Sequence, residues 1–532
     1  MSEMTALEGS KKNERKKDQM LQIVTLITIL LYIIMVVSIA LYCYRTTKTM
    51  DSFLLGSRKV GPWVSAFSYG TSYFSAVIFI GYAGMFGWII GAGSVLIGVG
   101  NAAFGSLVAW LLLARPTRRM THRIKAKTMP EFFAKRYECR NLKIYAAVII
   151  FLFLVPYAAG VYKGLGSLFS AVFPGVPEET IMLLVALLTA TGLFLGGYKA
   201  TSLIDFFQGI IMLTGVTAMI IVVISQPEVG GLFEGFQKLK NIDPDLISPF
   251  GGKNWFPLLI NISLTSFAVW GLPQMVHKYY AIKDESSIKQ GTVIATIFAL
   301  VIGGGAYLVG TFGRLFVPAL PDGTPDAAGS FDGVMPEILM SVFSSNIFLI
   351  ILLSIIMLLL LSASMSTLEA LVLSSSSAVA VDLLGTLRPG INEIKQMFIM
   401  RGFCVLFVAL SYIFATMNIS FIVNLMSFSW GVVAGCFIGP FLWGLYWKGV
   451  TKMGAWAGAL SGLVTVTGLT VSNTFQEGFA AAKSMAPQFG VTAMIVSLAA
   501  VPIVSLFTKK FSRDHIDRCF KDGEKDNGSY RQ

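Results

Sequence analysis

Residues 346–380 read NIFLIILLSIIMLLLLSASMSTLEALVLSSSSAVA. The run is long and apolar enough to cross a membrane, yet it carries Ser366, Thr367 and Glu369 near its middle. A charged side chain at the bilayer centre costs about 2.5 to 3.5 kcal/mol on insertion scales, so polar groups there face a cavity, an ion path or a partner helix. Ala363, Ser366 and Thr367 stand at i, i+3 and i+4 and share one helix face. That face offers two hydroxyl oxygens and any backbone carbonyl that a local distortion frees, and neutral oxygens in a ring suit a small hard cation. The competing reading is packing alone, because Ser and Thr in membrane helices commonly bond a neighbouring helix or their own i−4 carbonyl. The stretch by itself leaves both readings open.

The rest of the chain agrees that the solvent is lipid. Hydrophobic residues make up 55% of the 532 positions and charged ones 13%, with a mean hydropathy of +0.71, which excludes a soluble enzyme and indicates a polytopic membrane protein. Apolar runs of spanning length fall at about 21–44, 62–90, 93–114, 144–172, 180–197, 203–226, 256–280, 291–316, 346–380, 398–416, 420–447, 454–472 and 489–508, thirteen expected helices that put the termini on opposite sides. The first of them spans fully and lacks a small-residue cleavage site, so it reads as a retained helix.

Basic residues set the expected orientation. With the carboxyl terminus inside, the inner loops hold 45–60, the basic segment Arg115 to Lys143, the 277–289 loop and the tail with Lys509, Lys510 and Arg513, while 173–179 and 317–345 outside have no Lys or Arg. The amino-terminal arm, with Lys11, Lys12, Arg15, Lys16 and Lys17, disagrees and is outvoted by the later loops. Membrane topology accounts for the net charge of +12, and no aromatic-interleaved soluble domain is present to bind nucleic acid. The five cysteines form no close pair, and neither a P-loop nor a paired-histidine zinc motif occurs.

Two spans are interrupted. The second reads FSYGTSYFS from Phe67 to Ser75, a polar, glycine-containing patch in an apolar stretch. The seventh reads VWGLPQ from Val269 to Gln274, where Pro273 removes an amide donor. Unwound backbone at membrane depth is tolerated only where it is buried in protein or lines a cavity, so both breaks point to a site. Segments 61–226 and 256–447 each hold five expected spans and each opens on its interrupted helix, the pattern of an inverted-repeat transporter. The expected organisation is a polar arm 1–20, a leading helix 21–44, repeats over 61–226 and 256–447, two closing helices in 454–508 and a cytoplasmic tail 509–532.

With these residues in place the chain resembles the sodium:solute symporter family, nearest to its pantothenate and proline branch. The resemblance covers about residues 50–450 through ordered motifs: Phe53-Leu54-Leu55-Gly56-Ser57-Arg58; Thr128-Met129-Pro130-Glu131-Phe132; Gly196-Gly197 followed by Asp205 and Gln208; Gly271-Leu272-Pro273 followed by Lys283-Asp284; Met365-Ser366-Thr367; and Gly444-Leu445-Tyr446-Trp447. It implies an all-α, LeuT-type fold of two inverted five-helix repeats and a sodium site formed by the carbonyls of Thr71, Phe74 and Ala363 with the hydroxyls of Ser366 and Thr367. It also implies that Asp205 serves sodium release or a second sodium site, against which stands a plain interfacial carboxylate. Two residues depart from the family: Tyr73 stands where the proline-type protein has an acidic residue, and Glu369 stands where relatives have small or hydroxyl-bearing residues.

Glu369 points about 120 degrees from the centre of the Ala363, Ser366 and Thr367 face, at about 3.6 residues per turn. Its readings are a salt bridge to Lys163, a second ion or proton site that takes part in coupling, or a structural carboxylate bonded to hydroxyls such as Ser362. Lys163 either clamps a substrate carboxylate or extends its long stem to the outer interface. Placement in the implied fold adds Ser75, Ile78, Asn101, Trp270 and Gln274 as substrate contacts. The expectation is therefore a plasma-membrane symporter, embedded in the lipid bilayer and using Na+ to import a small organic solute by alternating access. Pantothenate or a monocarboxylate ranks ahead of proline. The alternatives are a proton-coupled or uncoupled transporter of the same fold and a sodium-coupled sugar or sialic acid transporter.

Overall fold

The computed structural model describes residues 2–521 apart from 46, 48, 329, 344, 345 and 418, with the side chains of 2–16, 18 and 194–196 left aside. The side chains of Lys11, Lys12, Arg15 and Lys16 in the basic arm, and the end of the tail, 522–532, thus lie outside the described residues.

Local chemistry starts and stops the helices. Asn346 accepts the Leu349 N–H at 3.0 Å to open helix Ile347–Ser377, and Asp284 accepts the Ser287 N–H at 2.7 Å to open Glu285–Thr311. The first broken helix, Pro62–Tyr73, ends because Phe74 turns extended, with φ −106° and ψ 108°, before helical backbone resumes at Ala76. The second broken helix stops at Trp270, and Leu272 adopts the extended conformation that a following proline imposes. Pro273 then occupies the first turn of Pro273–Tyr280, where its missing N–H costs nothing, and the two pieces are bent by 44°. Both breaks therefore fall within a residue or two of where the sequence places them.

The number of crossings is harder to read from hydropathy. Apart from the two breaks every expected span is helical, but neighbouring ones are fused: Val77–Arg123 and Glu178–Ile224 each run through two expected segments. Glu178–Ile224 turns at Gly197, whose φ of 58° and ψ of −166° favour glycine and where a Cβ would lie 2.7 Å from the Phe53 ring. Among the described residues ten helices are long and apolar enough to cross a membrane, or eleven if the bent pair counts as one. Helix Ser2–Tyr44 runs through the stretch expected as a polar arm without interruption.

Helix Ile347–Ser377 sits at the centre, against Glu178–Ile224, Arg140–Val172, the leading helix and the first broken helix. The closing helices Lys452–Glu477 and Ala486–Leu506 pack on Ile422–Tyr446. Leu30, Leu184, Leu187, Val464 and Ile503 point outward and exposed, as lipid-facing positions do, whereas the polar residues of the central helix are inside.

Candidate functional site

The first break leaves the last carbonyls of Pro62–Tyr73 without i+4 partners, and the central helix lies beside them. Thr367 Oγ1 is 3.0 Å from the Ala363 carbonyl, 3.4 Å from the Thr71 carbonyl and 3.3 Å from the Ser72 carbonyl. Ser366 donates to Thr71 Oγ1 at 2.8 Å and shares a 3.2 Å hydrogen bond with Ser72 Oγ. All are buried. The structure thus brings together Thr71, Ala363, Ser366 and Thr367 as a knot of neutral oxygens. Phe74 is buried at the break itself, its N–H bonded to the Gly70 carbonyl. Ser72, which the sequence does not single out, contributes both a carbonyl and a hydroxyl; its place in the same hydroxyl-rich patch is the signal that could have found it.

A second cluster lies beside the first. Asp205 Oδ2 accepts the Ser68 hydroxyl and faces Lys278 Nζ at 3.4 Å, and Lys278 also donates to Ser68 at 2.8 Å. A cavity of about 10 Å³, room for about one water, joins Asp205, Lys278, Gln274 and Ser366. By sequence Lys278 falls among the basic residues of an inner loop. It is instead 4% exposed, because Pro273–Tyr280 carries it back into the protein. Glu369 is buried with no hydrogen-bond partner on either oxygen among the described residues, Oε1 facing Gly192, and its electrostatic neighbours are Asp205 and Lys278. The expected bridge to Lys163 is therefore absent, and so is a bond to Ser362: Lys163 lies towards another end of the bundle, where it donates to the Ser420 carbonyl at 2.8 Å and faces Asp332 and Glu178.

The residues expected to touch substrate do not share one pocket. Ser75 and Ile78 are buried at the first break. Asn101 accepts from Thr265 at 2.8 Å and Trp270 donates to the Phe104 carbonyl at 3.0 Å, so both pin the second broken helix to its neighbour. Gln274 belongs to the Asp205 cavity, and Lys163 lines a separate cavity of about 810 Å³.

An all-helical bundle with two broken helices and a buried oxygen knot between the first of them and the central helix is the architecture of a membrane transporter. Residues 53–462 match the Sodium:solute symporter family, and the chain belongs to that family. It is 28% identical over 500 residues to the osmoregulated proline transporter OpuE of Bacillus subtilis (strain 168), covering 91% of this chain and 95% of that one. To the sodium/proline symporter of Staphylococcus aureus (strain bovine RF122 / ET3-1) it is 30% identical over 454 residues, covering 83% and 85%. Among solved structures, a Na+-coupled sialic acid symporter in a substrate-bound, outward-open state superposes with a TM-score of 0.75 at 15% identity, over 92% of this chain and 99% of the other. A nucleobase-cation-symport-1 family transporter in a closed conformation gives 0.52 at 14% identity, over 88% and 97%. The fold is that of these LeuT-fold-like transporters, and the protein is a multi-pass membrane transporter, not an enzyme.

Proposed function

We propose that the chain is a sodium-coupled symporter of a small, amino-acid-like solute, with sodium held by Thr71, Phe74, Ala363, Ser366 and Thr367, and with Ser72 added to that set. The observation that carries this reading is the meeting of the Thr367 hydroxyl with the carbonyls of Thr71, Ser72 and Ala363 beside a helix break. Such a group of uncharged oxygens replaces part of a sodium ion's hydration shell without a carboxylate of its own. Proline, named in the relatives, moves ahead of pantothenate and monocarboxylates. Sodium would hold the first broken helix against the central helix, completing the cavity at the breaks, and solute binding would then allow closure and release to the other side. In this reading the end of the bundle bearing 173–179 and 317–345 faces outside, thirteen helices cross the membrane as two inverted repeats, and Asp205, paired to Lys278, governs sodium release.

Thermal unfolding of the purified protein in sodium against potassium, with a panel of amino acids, pantothenate, monocarboxylates, sialic acid and sugars, tests the reading. A ligand of the native state adds about 2.7 kcal/mol at roughly a hundredfold excess over Kd. A solute that shifts the melt only in sodium, with Ser366→Ala erasing the difference, supports it; an equal shift in both salts favours the proton-coupled or uncoupled alternative.

A further inference from the structure

The cavity of about 810 Å³ at the Lys163 end is of ligand-pocket size, and four charged side chains from separate stretches line it: Lys163, Glu178, Asp332 and Lys483. Asp332 is 7% exposed. Its Oδ2 accepts the Ile422 N–H at 3.3 Å, which ties the Ser330–Gly333 turn to the start of helix Ile422–Tyr446, while Oδ1 has no hydrogen-bond partner among the described residues. An ionised carboxylate accepts only, so that oxygen is completed by a donor that comes from outside. Lys483 Nζ donates to the Ile419 carbonyl at 2.9 Å and Lys163 Nζ to the Ser420 carbonyl at 2.8 Å, which fixes both ammonium groups at the same rim. Each ammonium carries three donors.

The charges balance, two of each sign, and this decides the ligand class. A simple anion would meet Asp332 and Glu178 as well as the lysines, and a simple cation would meet the lysines as well as the acids. A molecule with both charges a few bonds apart satisfies both sides, and Met85, Phe331 and Phe421 supply walls for a short hydrocarbon frame. We infer that this cavity is a binding site for a compact zwitterion of the α-amino-acid type, its ammonium on Asp332 Oδ1 and its carboxylate on Lys483 with Lys163. The site lies apart from the oxygen knot at the first break and would receive solute before it reaches the knot; the inference rests on the amino-acid-like substrate proposed above. Burial pushes the Asp332 carboxyl up to about 6, with Lys163 opposing and Glu178 reinforcing the shift and Lys483 across the cavity. Ammonium binding needs the ionised form, so affinity falls as the pH drops through about 6.

Saturation-transfer NMR on the full-length protein in sodium-free potassium buffer, with Ser366→Ala as background, separates this site from the sodium-dependent one. The probes share one ring size: L-proline carries both charges, pyrrolidine only the cation, cyclopentanecarboxylate only the anion. The expected result is millimolar L-proline binding, at least tenfold weaker binding of both single-charge probes, at least tenfold loss on Asp332→Asn or Lys483→Gln, and about tenfold loss from pH 7 to pH 5. Asp332→Asn keeps the acceptor for Ile422, and Lys483→Gln serves if that variant does not fold. Absence of L-proline binding, equal binding of cyclopentanecarboxylate, or indifference to both substitutions overturns the site. Charge-selective binding that persists when the sodium-dependent melt shift is absent leaves this site standing and removes the symport reading.

Discussion

Lys278 Nζ lies 3.4 Å from Asp205 Oδ2 with both side chains almost wholly buried, at 4% and 1% exposure, and Ser68 bonds to both. Three chain segments meet in that triad: the second broken helix, Glu178–Ile224 and the first broken helix. Removing one partner of a buried pair strands the other charge and costs about 3 to 5 kcal/mol. Lys278→Met should therefore lower the unfolding temperature in detergent, and Asp205→Asn added to it should recover most of the loss. A neutral Lys278→Met would mean that the pair contributes nothing.

What the sequence made legible was local. Pro273 and the hydroxyl patch before Ser75 announce the breaks because a missing amide donor and a run of polar side chains disrupt a helix wherever it packs. The face shared by Ala363, Ser366 and Thr367 follows from helical spacing alone, and Thr71 lies beside it. Partner choice was not legible. Lys163 and Glu369 are both charges inside apolar runs, and hydropathy gives no axial offset between helices; the fold places the first with Asp332 and Glu178 and the second near Asp205 and Lys278. Lys278 read as a loop cation because the run before it is apolar and the run after it basic, yet one more helical turn takes it inside.

Helices in lipid approach closely where side chains are small. A Cβ on Gly87 would lie 2.2 Å from the Gly310 carbonyl, and one on Gly310 would lie 2.0 Å from the Ala83 carbonyl oxygen. The clash is with backbone, which cannot rotate away. Gly310→Ala should cost about 1 to 3 kcal/mol, as overpacking does. Gly304→Ala, in the same helix with nothing within 4 Å, should be neutral or gain up to about 1 kcal/mol from helix propensity. Thermal unfolding of the two variants side by side checks this, and equal behaviour would show that the close crossing is not needed.

Glu369 offers the opposite case, a buried carboxyl with no hydrogen bond to lose among the described residues. A buried polar group without a hydrogen-bond partner costs about 1 to 3 kcal/mol, more when charged, so taking it away stabilises. Glu369→Met keeps the length of the side chain and should raise the unfolding temperature. A fall of several degrees would show that the carboxyl holds a bond that matters to the fold.

Asp332 makes stability and ligand binding respond to pH in opposite directions. Its carboxyl titrates at about 6 in the folded protein against an ordinary 3.8, because burial penalises the charged form. A group whose folded-state value is raised favours folding when protonated, so its contribution is full below about 3.8 and is lost as the pH rises through about 6. At about 1.4 kcal/mol per pH unit the contribution is at most about 3 kcal/mol. Asp332→Asn carries no charge at any pH and keeps the acceptor for the Ile422 N–H, so it should flatten the part of the stability profile between pH 4 and pH 6 and be the more stable form at pH 7. Unfolding temperatures of both proteins across that range measure the difference. If the two profiles stay parallel, the Asp332 carboxyl is not held above its ordinary value. If they converge towards pH 4 while L-proline binding weakens, the same carboxylate that costs stability when charged is the one that holds the ligand's ammonium.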